Sequence, residues 1–206
     1  MLVEILSSLV ALFVAIVFHE YAHGWVAYKL GDPTAKDAGR LSLNPIKHID
    51  PIGTIFLPGI LLILRFMGLN SFMFGWAKPV PVNFGRLRRP KQDMILVAMA
   101  GPAINIALAL VFSVLAKIPF LSVLHHFLGV CVFINIVLAV FNMIPVPPLD
   151  GSRLVFGLLP DRLAVPYARL EPFGILIVVL LINTEAVQVA ILSVVYLIAN
   201  LLGVSL

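Results

Sequence analysis

Charge is scarce in this 206-residue chain: Asp, Glu, Lys and Arg make up 12% of it, against about 25% in an ordinary soluble domain. Hydrophobic residues make up 61%, more than the roughly 45–50% of a globular protein. That excess rules out a simple soluble core and calls for a solvent in which the outside is apolar too. Cysteine is nearly absent. Cys131 stands alone in an apolar run, so no internal disulfide is available, and it reads as a core or lipid-facing residue. There is no internal repeat and no low-complexity segment, and the chain reads as one integral-membrane domain over residues 1–206. The net charge is +4. Its basic residues sit in loops, which fits the positive-inside rule and gives no ground for nucleic-acid binding.

What remains is a set of apolar runs. The first spans about Leu2 to Leu30. It has no positive n-region, only Glu4, and continues past any cleavage point, so it reads as a transmembrane helix and not a signal peptide. Residues 31–51 are polar, and Arg40–Asn44 alternates like a short strand. The run 52–69 is interrupted by Gly53, Pro58, Gly59 and Arg65. Trp76 to Asn83 reads as extended chain, because Pro79 and Pro81 forbid a regular helix. Four more helices are expected at about 93–116, 122–144, 165–182 and 185–202.

The sharpest chemical signal is His19-Glu20-Tyr21-Ala22-His23. Residues i and i+4 share a helical face, so both imidazoles can grip one zinc ion. Glu20 between them suits a general base. Three ionisable residues in an apolar run are costly unless partnered or wet, which argues against an accidental histidine pair. A catalytic zinc usually takes three protein ligands. The candidates for the third are Asp32, Asp37, His48, Asp50, Asp93, His125, His126, Asp150, Asp161, Glu171 and Glu185. Asp150 stands out, because Pro145, Pro147 and Pro148 break the helix before it and Gly151 lets the chain turn. A plain turn aspartate before glycine explains it equally well. Asn105 and Asn142 are amides in membrane helices, fitted to hold a substrate carbonyl or an oxyanion, or to join helices. His48 with Asp50 could bind metal as an accessory site or be merely solvated. His125-His126 reads as interfacial.

His19-Glu-Tyr-Ala-His23, Gly101-Pro-Ala-Ile-Asn105 and Asn142 to Gly151 together resemble the site-2 protease family, intramembrane metalloproteases of peptidase family M50, in order and spacing. The likeness covers a catalytic core of about residues 10–155, with C-terminal helices at about 165–202 beyond it. Leu43 to Pro51 is similar to the short bacterial type without a PDZ domain. The resemblance implies His19, His23 and Asp150 as ligands of one zinc ion per chain, Glu20 as the catalytic base, and Asn105 and Asn142 lining the site.

If one metal unites His19, His23 and Asp150, the ends of their helices must face the same side. Residues 52–69 then form a re-entrant or interfacial hairpin that does not cross. The expected fold is an all-α polytopic membrane protein with about five transmembrane helices, that hairpin and a small membrane-associated β element. Of the 14 Lys and Arg residues, only Lys117 falls on the far side. The N-terminus is then outside, the C-terminus inside, and the site toward the cytoplasmic face of the cell (inner) membrane. The expected activity is hydrolysis of peptide bonds in or near transmembrane segments of membrane-protein substrates. A bound substrate must unwind, and Arg40–Asn44 or Lys78–Asn83 could capture it by β-augmentation. With no PDZ-like or nucleotide-sensing segment, control would come from substrate shape, a prior cut or a partner. The rival readings are an ion transporter or channel, which lacks the inverted repeat common in that class, and a non-catalytic module that sequesters a partner.

Overall fold

A helix surrounded by lipid needs its apolar side chains outside and small residues where neighbouring helices meet. The computed structural model of the chain describes residues 2–68 and 77–204 and follows that rule. Its elements begin with α1 (Leu2–Lys29), α2 (Thr34–Asp37), a 3-10 turn at Pro45–His48 and a π-helical turn at Pro51–Phe56 that leads into α3 (Leu57–Phe66). Then come α4 (Pro90–Ala116), α5 (His125–Asn142), α6 (Asp150–Leu158), α7 (Asp161–Ala168), a 3-10 turn at Glu171–Phe173, α8 (Gly174–Ile182) and α9 (Glu185–Leu201). The described chain is all-helical.

Among the described residues, four stretches are long and apolar enough to cross a bilayer by length and composition: Leu6–Lys29, Pro90–Ala116, Pro119–Asn142 and Asp161–Ile182. Their outward residues stay bare, as Leu176 (60% exposed) and Leu180 (61%) illustrate. Where helices meet, the residues are small. Ala11, Ala15 and Ala27 of α1 are fully buried, and Ala109 of α4 meets Val132 and Ile136 of α5 and Val195 and Ala199 of α9.

Helix direction can be read from side-chain pairs. His23 of α1 bonds Val97 O near the start of α4, while His19 bonds Asn105 farther along it. The two helices are therefore antiparallel. The Arg88 N–H donates to Leu30 O (3.1 Å), so the connection between α1 and α4 begins and ends at one end of the pair and makes no net crossing. Within it, Pro58 and Gly59 lie in the first turn of α3 and not at the tip of a hairpin. The helical run starts earlier, where the Asp50 side chain caps the N–H groups of Ile52 and Gly53.

The expected β element is not found among the described residues. Arg40–Asn44 and residues 77–83 carry neither helix nor strand, and they are joined through side chains and not by a ladder. The Arg40 guanidinium donates to Lys78 O (2.8 Å), and the N–H groups of Val80 and Asn83 are taken by Glu20 and Asp32. Pro79 and Pro81 have no N–H to offer. Trp76, where the extended stretch was expected to start, lies outside the described residues.

The C-terminal third also departs from expectation. Lys91 pairs with Asp161 (2.6 Å), Tyr167 Oη donates to Pro145 O, and Gly174 abuts Pro147. All of these contacts lie at the basic end, where α4 begins. At the far end, Lys117 Nζ donates to Leu202 O (3.1 Å). From Gly174 to Leu202 the described chain thus passes once from the basic end of the bundle to the far end, where two spans were expected, and Leu202 lies beside the C-terminus of α4. The physical reason is the break between α7 and α8. The 3-10 turn at Glu171–Phe173, with Pro172 in it, breaks the first expected span, and the helix that follows, α8, has nine residues, about 14 Å, so that it reaches the far end only together with α9. Cysteines introduced at exposed positions 126 and 201 should therefore react with an impermeant maleimide from one side of the membrane, and a cysteine at 36 from the other. Labelling of 36 and 201 from the same side would contradict this arrangement.

Candidate metal centre

The i, i+4 spacing puts the His19 and His23 rings on one buried face of α1. A matching face of α4, Val97, Gly101 and Asn105 at four-residue intervals, lies against them. The His19 Nδ1 approaches Asn105 Oδ1 at 2.6 Å, and the His23 Nδ1 approaches Val97 O at 2.7 Å. Both partners are oxygens that accept and do not donate, so each Nδ1 carries the hydrogen and each Nε2 keeps a lone pair. Those two Nε2 atoms lie 3.0 Å apart. His23 precedes Lys29 by six residues and His19 by ten, so the pair sits about 9–15 Å inside the basic end of α1.

Asp150 arrives from the other end of the sequence. Pro145, Pro147 and Pro148 end the helical pattern after α5, and Asp150 opens a new helix, α6, where an acidic residue suits the positive N-terminus. This replaces the expectation that the carboxylate sits on the broken end of its own span. The turn needs Gly151, because a Cβ there would lie 2.3 Å from Met143 O. Asp150 Oδ2 comes within 3.0 Å of His19 Nε2 and 3.2 Å of His23 Nε2.

Two lone pairs and a carboxylate oxygen converging at this distance repel one another unless a cation lies between them. Zinc bonds of about 2.0–2.1 Å in tetrahedral geometry separate neighbouring ligand atoms by about 3.3–3.4 Å, close to the spacing here. Gly101 supports the fit. A Cβ on it would lie 2.5 Å from the Nε2 atoms of both histidines, so its bare backbone leaves open the space they face. Among the described residues, His19, His23 and Asp150 are the one His/Cys/Asp/Glu group gathered closely enough to hold a metal ion.

The other expected residues are placed as follows. Glu20, half-buried, accepts the Val80 N–H at Oε2 (2.6 Å) and so faces the segment 77–83. Asn105 is fully buried and spends its amide on His19, Ala15 O and Asn135 Oδ1. Asn142 Nδ2 donates to Leu138 O of its own helix. His48 is buried in its loop, with Nε2 at 2.8 Å from Ser42 O. Asp32 holds the backbone of Thr34 and Asn83, and Asp93 takes the Arg89 N–H. His125 and His126 are exposed at the far end. Gly101, the Val97 carbonyl and Asn135 escape a reading that looks only for ligands. Asn135 did carry a signal, as a second amide in an apolar helix two turns before Asn142 and on the same face.

Comparison with known proteins points to a zinc metalloprotease family. The family model "Peptidase family M50" matches residues 116–184. The chain is 38% identical to "Putative zinc metalloprotease YwhC" of Bacillus subtilis (strain 168) over 185 residues, 85% of this chain and 79% of that protein. It is 28% identical to "Putative zinc metalloprotease Rip2" of Mycolicibacterium smegmatis, over 93% of this chain and 72% of the relative. A Methanocaldococcus jannaschii protein, "Putative zinc metalloprotease MJ0611", is 32% identical over 72% of this chain and 68% of its own length. No solved structure matches.

The Gly101 contact is open to test. Gly101→Ala should weaken zinc binding by at least about tenfold, the scale on which disturbed ligand surroundings act. Competition with a chromophoric chelator would measure this, and wild-type affinity in the variant would refute the close approach.

Proposed function

This chain belongs to peptidase family M50 and is a zinc metallopeptidase, and on that premise we propose that it cleaves peptide bonds in or near transmembrane segments of other membrane proteins. The observation that carries the reading is the convergence of His19, His23 and Asp150 inside an apolar bundle, with Glu20 on the same turn of α1 as both histidines. In this reading His19, His23 and Asp150 hold the zinc. When bound, zinc polarises the scissile carbonyl and makes a water molecule acidic enough to attack at neutral pH.

The residues of the chain do the rest. Glu20 takes the proton from the attacking water and returns it to the leaving amine. Asn105 and Val97 O keep both imidazoles turned with Nε2 toward the shared centre. Asn142, at the end of α5, remains a candidate to hold the substrate carbonyl, once released from its local bond. His48 supports the reading differently from the accessory role first considered. Its backbone carbonyl accepts the Lys78 N–H (3.0 Å), which ties the loop after α2 to the segment beside Glu20.

That segment, residues 77–83, is the natural place for an unwound substrate to lie, since it is not helical and already touches the base. A helical substrate hides its carbonyls in its own hydrogen bonds and must open locally before cleavage. The basic residues cluster at the end of the bundle nearer the site, which supports a cytoplasmic-side active site in the cell membrane.

The base assignment has a direct test. Glu20→Gln should leave zinc content unchanged and reduce cleavage of a transmembrane substrate in proteoliposomes by about 10²-fold or more. Cleavage at the wild-type rate would refute it.

A further inference from the structure

Asn135 lies on α5, which packs against both α1 and α4. It is fully buried, with 0% of its surface exposed, in a part of the bundle otherwise lined by apolar residues such as Val132 and Ile136. An amide in such a place needs partners, and its partners form a directed chain. Asn135 Nδ2 donates to Cys131 O one turn back on its own helix (2.8 Å). That bond turns Oδ1 outward, where it accepts a hydrogen from Asn105 Nδ2 at 2.9 Å. The second hydrogen of Asn105 Nδ2 goes to Ala15 O of α1 (3.1 Å). With both hydrogens engaged, the Asn105 carbonyl oxygen is left to face His19 Nδ1. Three helices are joined through two amides, and the last link sets which nitrogen of His19 carries its hydrogen.

We propose that Asn135 is a positioning residue for the metal centre: it holds the Asn105 amide in the one orientation that keeps the His19 Nε2 lone pair aimed at the Asp150 side of the site. Without the Asn135 oxygen, one Asn105 hydrogen is buried without an acceptor. That loss removes one of the bonds that hold the amide and leaves Ala15 O alone on its NH₂ side to oppose a rotation that would put the NH₂ group against the Nδ1–H of His19. The ligand would then be turned or its hydrogen moved to Nε2, and either change removes a lone pair from the metal. The inference deepens the zinc-site reading and rests on it.

The test is a zinc affinity measurement on folded protein in detergent, by competition with a chromophoric chelator. Asn135→Leu, close in volume and unable to accept, should weaken zinc by about 10–100-fold. Asn135→Asp should restore wild-type affinity. Burial keeps such an acid neutral, so its O–H can donate to Cys131 O while its other oxygen accepts from Asn105. Should Asn135→Leu not fold, Asn135→Ser serves, since its hydroxyl bonds within its own helix and is too short to reach Asn105. It should show the same loss. A role confined to packing α5 on α4 would lower the melting temperature and leave zinc affinity alone, so wild-type affinity in the Leu or Ser variant overturns the proposal. An Asp variant as weak as Leu overturns it too. If the wild type takes up no zinc, the metal reading itself fails; if the wild type binds and the variants bind equally, only the role of Asn135 fails.

Discussion

Two imidazoles and a carboxylate cannot be carried into an apolar bundle for nothing, and the rest of the structure follows from how that cost is met. Each imidazole is given an acceptor at Nδ1, and both acceptors come from α4. This requires α4 to lie against α1 closely enough for backbone Val97 O to reach a side chain, and Gly101 makes that approach possible. The antiparallel arrangement of the two helices follows, because the acceptors must run in the order opposite to the histidines. The connection from residue 31 to 88 must then return to the end it left.

Asp150 is delivered by a second device. A proline-rich turn stops the chain after α5, and a short helix leads back along α4, with Gly157 against Ile95 and the Lys91 carbonyl. Its first residue is Asp150, the proposed third ligand. The centre is thus assembled from three directions around one glycine, and each direction is held by contacts that have no chemistry of their own. Asn135 joins the same set of contacts through its bond to Asn105.

Much of this was legible in the sequence because the relevant signals are short-range or costly. The His19–His23 spacing is a helical repeat, and ionisable residues in an apolar run invite explanation. The approach of Asp150 to the two histidines was legible by resemblance alone, since its surroundings read equally as an ordinary turn. The C-terminal crossing was not legible. Positive-inside arguments depend on Lys and Arg, and none follows Arg169, so the bias is the same whether residues 161–202 cross once or twice. The strand expected at Arg40–Asn44 failed for a different reason. Alternation marks extended chain, but a ladder needs backbone partners, and here side chains of Arg40, Glu20 and Asp32 took them. Asn105 was read as a group that could face substrate or join helices; its contacts all lie within the protein, on α1 and α5.

The claim on which all of this turns is that Asp150 completes a zinc site begun by His19 and His23. The direct measurement is metal content of purified protein after zinc is supplied in excess and the unbound ion removed, for wild type and Asp150→Ala side by side. About one zinc per wild-type chain, mostly lost from the variant, is the expected result. Zinc retained in full by Asp150→Ala, or absent from the wild type, would contradict it.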